Sequence, residues 1–293
     1  MKQTRRKSNT KRGKNRLRTI VSTAILIIAA ILYINQEILQ SQSEQQHLSP
    51  EKLEQESQQN LHQETETGLE FPQMAGDEKL INYEGFTVCY NEKALIPHWV
   101  AYQMENYETD GETTRNGKKF RPDNALPYRQ AEDDDYRNSG WARGHMAPAA
   151  DFKWSGQAMS DTFYFTNCCP QNSSLNGGMW STLEKKVRDA AVEYGSIWVI
   201  TGPIVEKNSY GTIGNNNVIV PDAFFKAMLI YDGAKYHSIA FVMDNCKQKS
   251  NMQKCAMSVN DLEKRLQMNL FEALDNTIEE TVESSYTLPI WNL

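Results

Sequence analysis

Residues 19–36 (TIVSTAILIIAAILYINQ) carry no charged side chain, and this run divides the chain into parts that cannot share one fold. Its 18 residues sit at the short end of what spans a bilayer as a helix. A helix satisfies its own backbone groups, which the bilayer core demands. Nine basic residues precede the run (Lys2, Arg5, Arg6, Lys7, Lys11, Arg12, Lys14, Arg16 and Arg18), with no acid among residues 1–18. Such a flank stays in the cytoplasm and the remainder crosses. The rival is a cleaved signal peptide. However, Ala29 and Ala30 are followed by Ile31, Leu32 and Tyr33, which is a poor small-x-small cleavage site. The expectation is an uncleaved signal anchor over 19–36 with a cytoplasmic tail over 1–18. The folded domain would then lie outside the cell membrane, in a periplasmic or extracellular space.

That placement changes how charge and cysteines are weighed. Of 31 Lys and Arg, nine are in the tail, so 22 face 37 Asp and Glu over the rest of the chain. The basic tail cannot stand for the charge of the folded domain. The five cysteines (Cys89, Cys168, Cys169, Cys246, Cys255) would lie where disulfides form. An odd count leaves one unpaired or bridging two chains. Cys246 and Cys255 flank a polar loop and are the expected local pair. No CxxC or Cys/His spacing suggests structural zinc.

Residues 37–78 are rich in Gln, Glu and Ser, with little to bury, and read as a solvated spacer. From 79 to 293 the pattern is that of one folded domain. GFTVCYN and WVAYQM alternate as short strands do, and DTFYFTN is a third candidate, ending in a turn at Cys169-Pro170. In MWSTLEKKVRDAAVEYG, Trp180, Leu183, Val187, Ala190 and Ala191 share one helix face, and Gly195 supplies the stop. SIWVITGPIV, NNVIVPDAFFKAMLIYD and YHSIAFVMD read as further strands, and 258–275 as helix. Strands adjacent in sequence predict an α+β fold with a largely antiparallel central sheet.

The chemistry concentrates in two segments. WARGHMAPAADF (Trp141–Phe152) leaves His145 sparsely covered by Gly144 and an Ala/Pro run. Histidine is a competent base near neutral pH, although a lone histidine is more often structural. TNCCPQNSSLNGGMWSTLEKKVR (Thr166–Arg188) adds Asn176 just before the helix, where it is either a cap or an oxygen ligand to a hard cation. Glu184 and Arg188 are four apart and share a helix face, as a surface ion pair also would. Together they supply a base, an amide oxygen, a carboxylate and guanidinium groups, the parts of a one-metal phosphodiester hydrolase. Cys168 and Cys169 lack a neighbouring histidine to activate them. His47, His62, His98 and His237 read as structural or spacer residues.

RGHMAPAAD paired with TNCCPQNSSLNGGMWSTLE resembles the DNA/RNA non-specific endonucleases, the ββα-metal group of the Serratia nuclease and endonuclease G. NYEGFTVCYNEKALIPHWVAYQM, VITGPIV and VIVPDAFFKAML also fit that family's order, so the resemblance covers about 80–293. It implies a ββα-metal endonuclease fold acting on DNA and RNA. It implies Mg²⁺, with Mn²⁺ as a substitute, and leaves a homodimer open. By position, His145 matches the general base and Asn176 the direct Mg²⁺ ligand. Glu184 matches the carboxylate beside the metal's water shell, and Asn167 the asparagine that steadies the site near the base. Arg143 and Arg188 match arginines beside the phosphate. Arg115 matches the arginine placed for transition-state charge, with Arg121 as its rival. The family's Asp-Arg-Gly-His is altered at Ala142, which shifts the missing carboxylate's load to Asp151 or to Glu132–Asp135. The implied products carry 5′-phosphates. Alternatives are a non-catalytic nucleic-acid-binding protein on the same fold and a phosphodiesterase for a smaller substrate. Arg115, Lys118, Lys119, Arg121, Arg143, Lys185, Lys186 and Arg188 are the candidate basic wall for a polyanion.

Overall fold

Three long strands, β6 (Ser196–Ile204), β9 (Ala223–Tyr231) and β10 (Tyr236–Asp244), are buried along nearly their whole length. Such runs need cover on both faces. The computed structural model describes residues 68–74 and 79–293. The tail, the anchor over 19–36 and nearly all of the spacer lie outside the described residues. Among the described residues, no helix is long and apolar enough to cross a membrane.

The three strands sit in a seven-stranded antiparallel sheet ordered β1-β2-β3-β6-β9-β10-β11. The others are β1 (Leu80–Asn82), β2 (Thr87–Asn91), β3 (Ile96–Glu105) and β11 (Ala256–Met257). Alternate residues feed two separate cores. Val100, Tyr102, Ile197, Val199, Phe224 and Met228 join one core, while Trp99, Ala101, Trp198, Ile200, Phe225 and Ala227 join the other. A small hairpin, β7 (Thr212–Ile213) with β8 (Val218–Ile219), stands apart from the sheet.

The first core is closed by a second layer of short elements. A one-turn helix α1 (Asp133–Tyr136) precedes β4 (Ala142–His145). Helix α2 (Gly156–Asp161) is capped by Ser155, whose Oγ accepts from the Gln157 and Ala158 amides. Strand β5 (Cys168–Gln171) then pairs antiparallel with β4, setting His145 opposite Cys168 and Gly144 opposite Cys169. Helix α3 (Ser181–Tyr194) follows, burying Leu183, Val187, Ala190 and Ala191 as its spacing predicts, and stops at Gly195 (φ 91°). Two strands and a helix in succession therefore carry the segments singled out from the sequence. On the other face lie α4 (Val259–Leu266) and α5 (Asn276–Glu283).

Four expectations need correction. DTFYFTN is not a strand. Phe163 and Phe165 do alternate inward, but the chain is extended only around Tyr164, where it bridges Arg121, and turns in a 3₁₀ helix at Phe165–Asn167. The strand begins at Cys168 and runs through Cys169-Pro170, where a turn was expected; the missing proline donor is tolerated in this two-stranded ladder. The helix expected over 258–275 stops at Leu266, because Gln267 is left-handed (φ 55°) and the Glu263 carboxylate takes the Leu270 amide (2.6 Å). All five cysteines are free thiols, so Cys246 and Cys255 do not pair.

Candidate active site

His145 ends strand β4 with its ring between two aromatics. The Phe120 centroid is 4.6 Å away and Phe163 meets it edge-on at 5.0 Å. Its Nε2 is buried and has no hydrogen-bond partner. Burial, and then the Arg115 guanidinium, push its pKa down to about 3, so the imidazole is neutral. Arg115 lies over the Phe163 ring, with its guanidinium carbon 5.7 Å from the ring centre. The chain after His145 is pinned by Asn167. That fully buried amide accepts from Ala147 N (2.9 Å) and donates to Ala147 O and Thr162 O (2.9 Å each).

Glu184 and Arg188 belong to a second group on α3. Arg188 Nη1 meets Asp151 Oδ1 at 2.7 Å, and Asp151 Oδ2 accepts from the Tyr102 hydroxyl at 2.8 Å. Asp151 is wholly buried, and burial raises its pKa despite these donors. Burial also raises Glu184, opposed by the Lys226 charge and reinforced by that of Asp151. Lys226 is a charge the sequence reading passed over. It shares one face of β9 with Phe224 and Met228, so it points toward α3. It is completely buried, with Nζ unpartnered and 5.0 Å from the Trp180 ring centre. Burial lowers its pKa. A lysine inside the apolar run AFFKAMLIY was the available signal.

Asn176 opens a widened π-type turn, Asn176–Trp180, that feeds α3. Gly178 breaks its helical geometry (φ −115°, ψ −110°), and such turns recur at functional sites. Asn172, not Asn176, does the capping: its Oδ1 accepts from Ser174 N and Leu175 N. The half-buried Asn176 side-chain amide makes no hydrogen bond among the described residues. An uncommitted side-chain amide oxygen about two turns before the Glu184 carboxylate fits a hard divalent cation that keeps most of its water.

The arginines separate by what holds them. Arg143 is tied to Asp133, at 2.7 Å to the carboxylate and 2.9 Å to its carbonyl. The acidic run thus holds this arginine, and Asp151 holds Arg188, where Ala142 offers no carboxylate. Arg121 donates to Ser160 O and Oγ and stacks on Tyr164 at 4.1 Å. It is committed to structure, which leaves Arg115 beside the histidine. The candidate basic wall is mostly engaged as well. Lys118 donates to Gly156 O, Lys185 pairs with Asp189 and Lys186 donates to Asn292 O. Burial pushes the Cys168 thiol up to about 12 and that of Cys169 well above its usual range, which disables both as nucleophiles.

The profile of the DNA/RNA non-specific endonuclease family matches residues 68–277. The chain belongs to this family. Zebrafish (Danio rerio) mitochondrial nuclease EXOG is 35% identical over 207 residues, covering 66% of this chain and 60% of its own. Human mitochondrial endonuclease G is 34% identical over 183 residues, 59% of this chain and 62% of its own. This family member thus spans about 60% of the length of those relatives. A chain of a solved EndoG/EndoGI complex superposes with a TM-score of 0.65 at 25% identity, over 71% of this chain and 90% of that one. These relatives overturn one expectation. They are named as mitochondrial nucleases, not as proteins of a cell surface, so the placement at a cell membrane with the domain outside is withdrawn.

Proposed function

We propose that the protein is a Mg²⁺-dependent nuclease that hydrolyses phosphodiester bonds of DNA and RNA with little sequence preference. The observation that carries this reading is His145: a neutral imidazole with a buried, unpartnered Nε2, beside Arg115, on the strand that matches the family's histidine motif.

His145 takes the proton of the attacking water. A phosphodiester arriving beside it brings negative charge, which favours the imidazolium and offsets the effect of burial. Asn167 fixes the backbone that follows the base, so the ring needs little reorganisation. Arg115 faces the same aromatic wall and stabilises charge that builds on the phosphoryl oxygens, where such donors are worth most. Arg143 and Arg188, braced by Asp133 and Asp151, offer further charge to phosphate oxygens. Asn176 would hold Mg²⁺ directly, and Glu184 would orient its water shell. The ion when bound supplies Lewis-acid stabilisation of the phosphoryl group. The water oxygen bonds to phosphorus as the P–O3′ bond breaks, and the leaving 3′ oxygen takes a proton from solvent, which leaves 3′-hydroxyl and 5′-phosphate ends. Contacts to phosphate rather than bases explain broad substrate use.

The test incubates the full chain with plasmid and with RNA, in Mg²⁺ and in EDTA. Cleavage of both in Mg²⁺ alone is expected. Binding without cleavage would instead identify a non-catalytic nucleic-acid-binding domain.

A further inference from the structure

The face of the sheet opposite the histidine carries a second group of ionisable side chains. Glu263 on α4 and Glu279 and Glu283 on α5 bring one carboxylate oxygen each to within 4.8 Å of one another. Two of them lie beyond the segment that the family profile matches. Three carboxylates so close repel one another unless something compensates. Lys264, the basic residue next in sequence, is engaged with Asp261 at 3.3 Å.

Glu283 makes this more than an acidic surface. It is 1% exposed, turns its carboxyl into the cluster, and has a buried Oε1 with no hydrogen-bond partner. A buried carboxylate oxygen normally has a donor or an ion. Without one, burial and the charges of Glu263 and Glu279 push its pKa up to about 9. The surroundings are ordered by other contacts. Glu263 accepts the Leu270 amide, and Ser238 Oγ on β10 donates to Val282 O (2.9 Å), which fixes α5 on the sheet.

We propose that Glu263, Glu279 and Glu283 form a structural site for a hard divalent cation, Ca²⁺, that ties α4 to α5. Ca²⁺ takes oxygen ligands in flexible geometry, and three carboxylates completed by solvent oxygens meet its needs. The site is separate from that proposed around Asn176 and does not depend on the nuclease reading.

Calcium titration calorimetry and thermal melts on the full chain test it, in an Asn176→Ala background so that the other proposed site does not contribute. E283Q is nearly isosteric, and E279Q alters a less buried position. In calcium-free buffer both should melt no lower than the background, because E279Q removes like charge and E283Q puts a neutral isostere in place of a carboxyl that burial already favours in its neutral form. Each should lose one equivalent of bound Ca²⁺ per chain and the calcium-dependent rise in Tm. Unchanged stoichiometry and an unchanged rise in both variants would overturn the site. So would calcium-free destabilisation of both, since the carboxyls would then serve the fold as protonated hydrogen-bonding groups.

Discussion

Arg188 and Asp151 form an ion pair at 2.7 Å in which the carboxylate is wholly enclosed and the guanidinium remains partly open. The pair joins α3 to the loop after His145, and Tyr102 extends it into the sheet. Removing one partner of a buried pair strands the other charge, at about 3–5 kcal/mol. Asp151→Ala should therefore destabilise strongly in urea unfolding. Tyr102→Phe removes one hydrogen bond to a charge and should cost about 1.5–3 kcal/mol. If Asp151→Ala unfolds at the same urea concentration as the parent, the pair is not a brace.

His145→Ala should lower turnover on plasmid by about 10²–10⁴-fold, the usual contribution of a general base. Binding of the same plasmid, measured by mobility shift, should persist. Arg115→Ala should also lower turnover, whereas Arg121→Ala should act mainly on stability, since Ser160 and Tyr164 hold it. Equal loss of turnover in the two arginine variants, without loss of stability, would reverse that assignment.

Much of this was legible because burial writes itself as periodicity. Helix α3 shows its face through Trp180, Leu183 and Val187 and its end through Gly195, and β6, β9 and β10 appear as apolar runs. Strand-like alternation misled at DTFYFTN because Phe163 and Phe165 both point inward while the Asn167 amide anchors the adjoining turn. The end of α4 was hidden because it depends on a left-handed Gln267 and on Glu263 reaching Leu270 across seven positions. The residues holding the arginines are remote in the chain: Asp133 lies ten positions from Arg143, and Asp151 lies 37 from Arg188. Spacing alone does not reveal such pairs.

Asn176→Ala should shift the Mg²⁺ concentration for half-maximal cleavage upward while leaving the fold intact, since its side-chain amide makes no hydrogen bond among the described residues. Glu184→Gln should do the same, and removing a carboxylate from beside buried Asp151 also alters the charge balance around Lys226. The shift is read from cleavage rates across a Mg²⁺ series. An unchanged midpoint in Asn176→Ala would remove it from the proposed ligand set.

His145 also links stability to pH. Its folded pKa, about 3, lies below the ordinary 6.5. Between these values the unfolded chain binds a proton that the folded protein refuses. Stability should therefore fall on acidification from about pH 6.5 by up to about 1.4 kcal/mol per pH unit, levelling off near pH 3 for this group. His145→Gln lacks the titration. The difference in unfolding free energy between the two proteins should be steady above pH 7 and should shift in favour of the variant below pH 6. A difference that stays constant down to pH 4 would mean the imidazole is hydrated and titrates normally.

Gly144 sets how closely β4 and β5 can approach. A Cβ at this position would lie 2.7 Å from the Gln171 Cβ and would also strike the Gln171 amide. Gly144→Ala must therefore push the strands apart or displace Gln171, an overpacking cost of about 1–3 kcal/mol. Because the obstruction includes Cβ itself, adding Gln171→Ala should relieve only part of that cost. Adding Gln171→Gly should relieve most of the clash, at the separate cost of a second glycine in a strand. The displacement would also move His145, one residue on, so turnover in Gly144→Ala should fall by more than the folded fraction accounts for. A Gly144→Ala protein with parental stability and turnover would show that the two strands are not in the close contact that places the base.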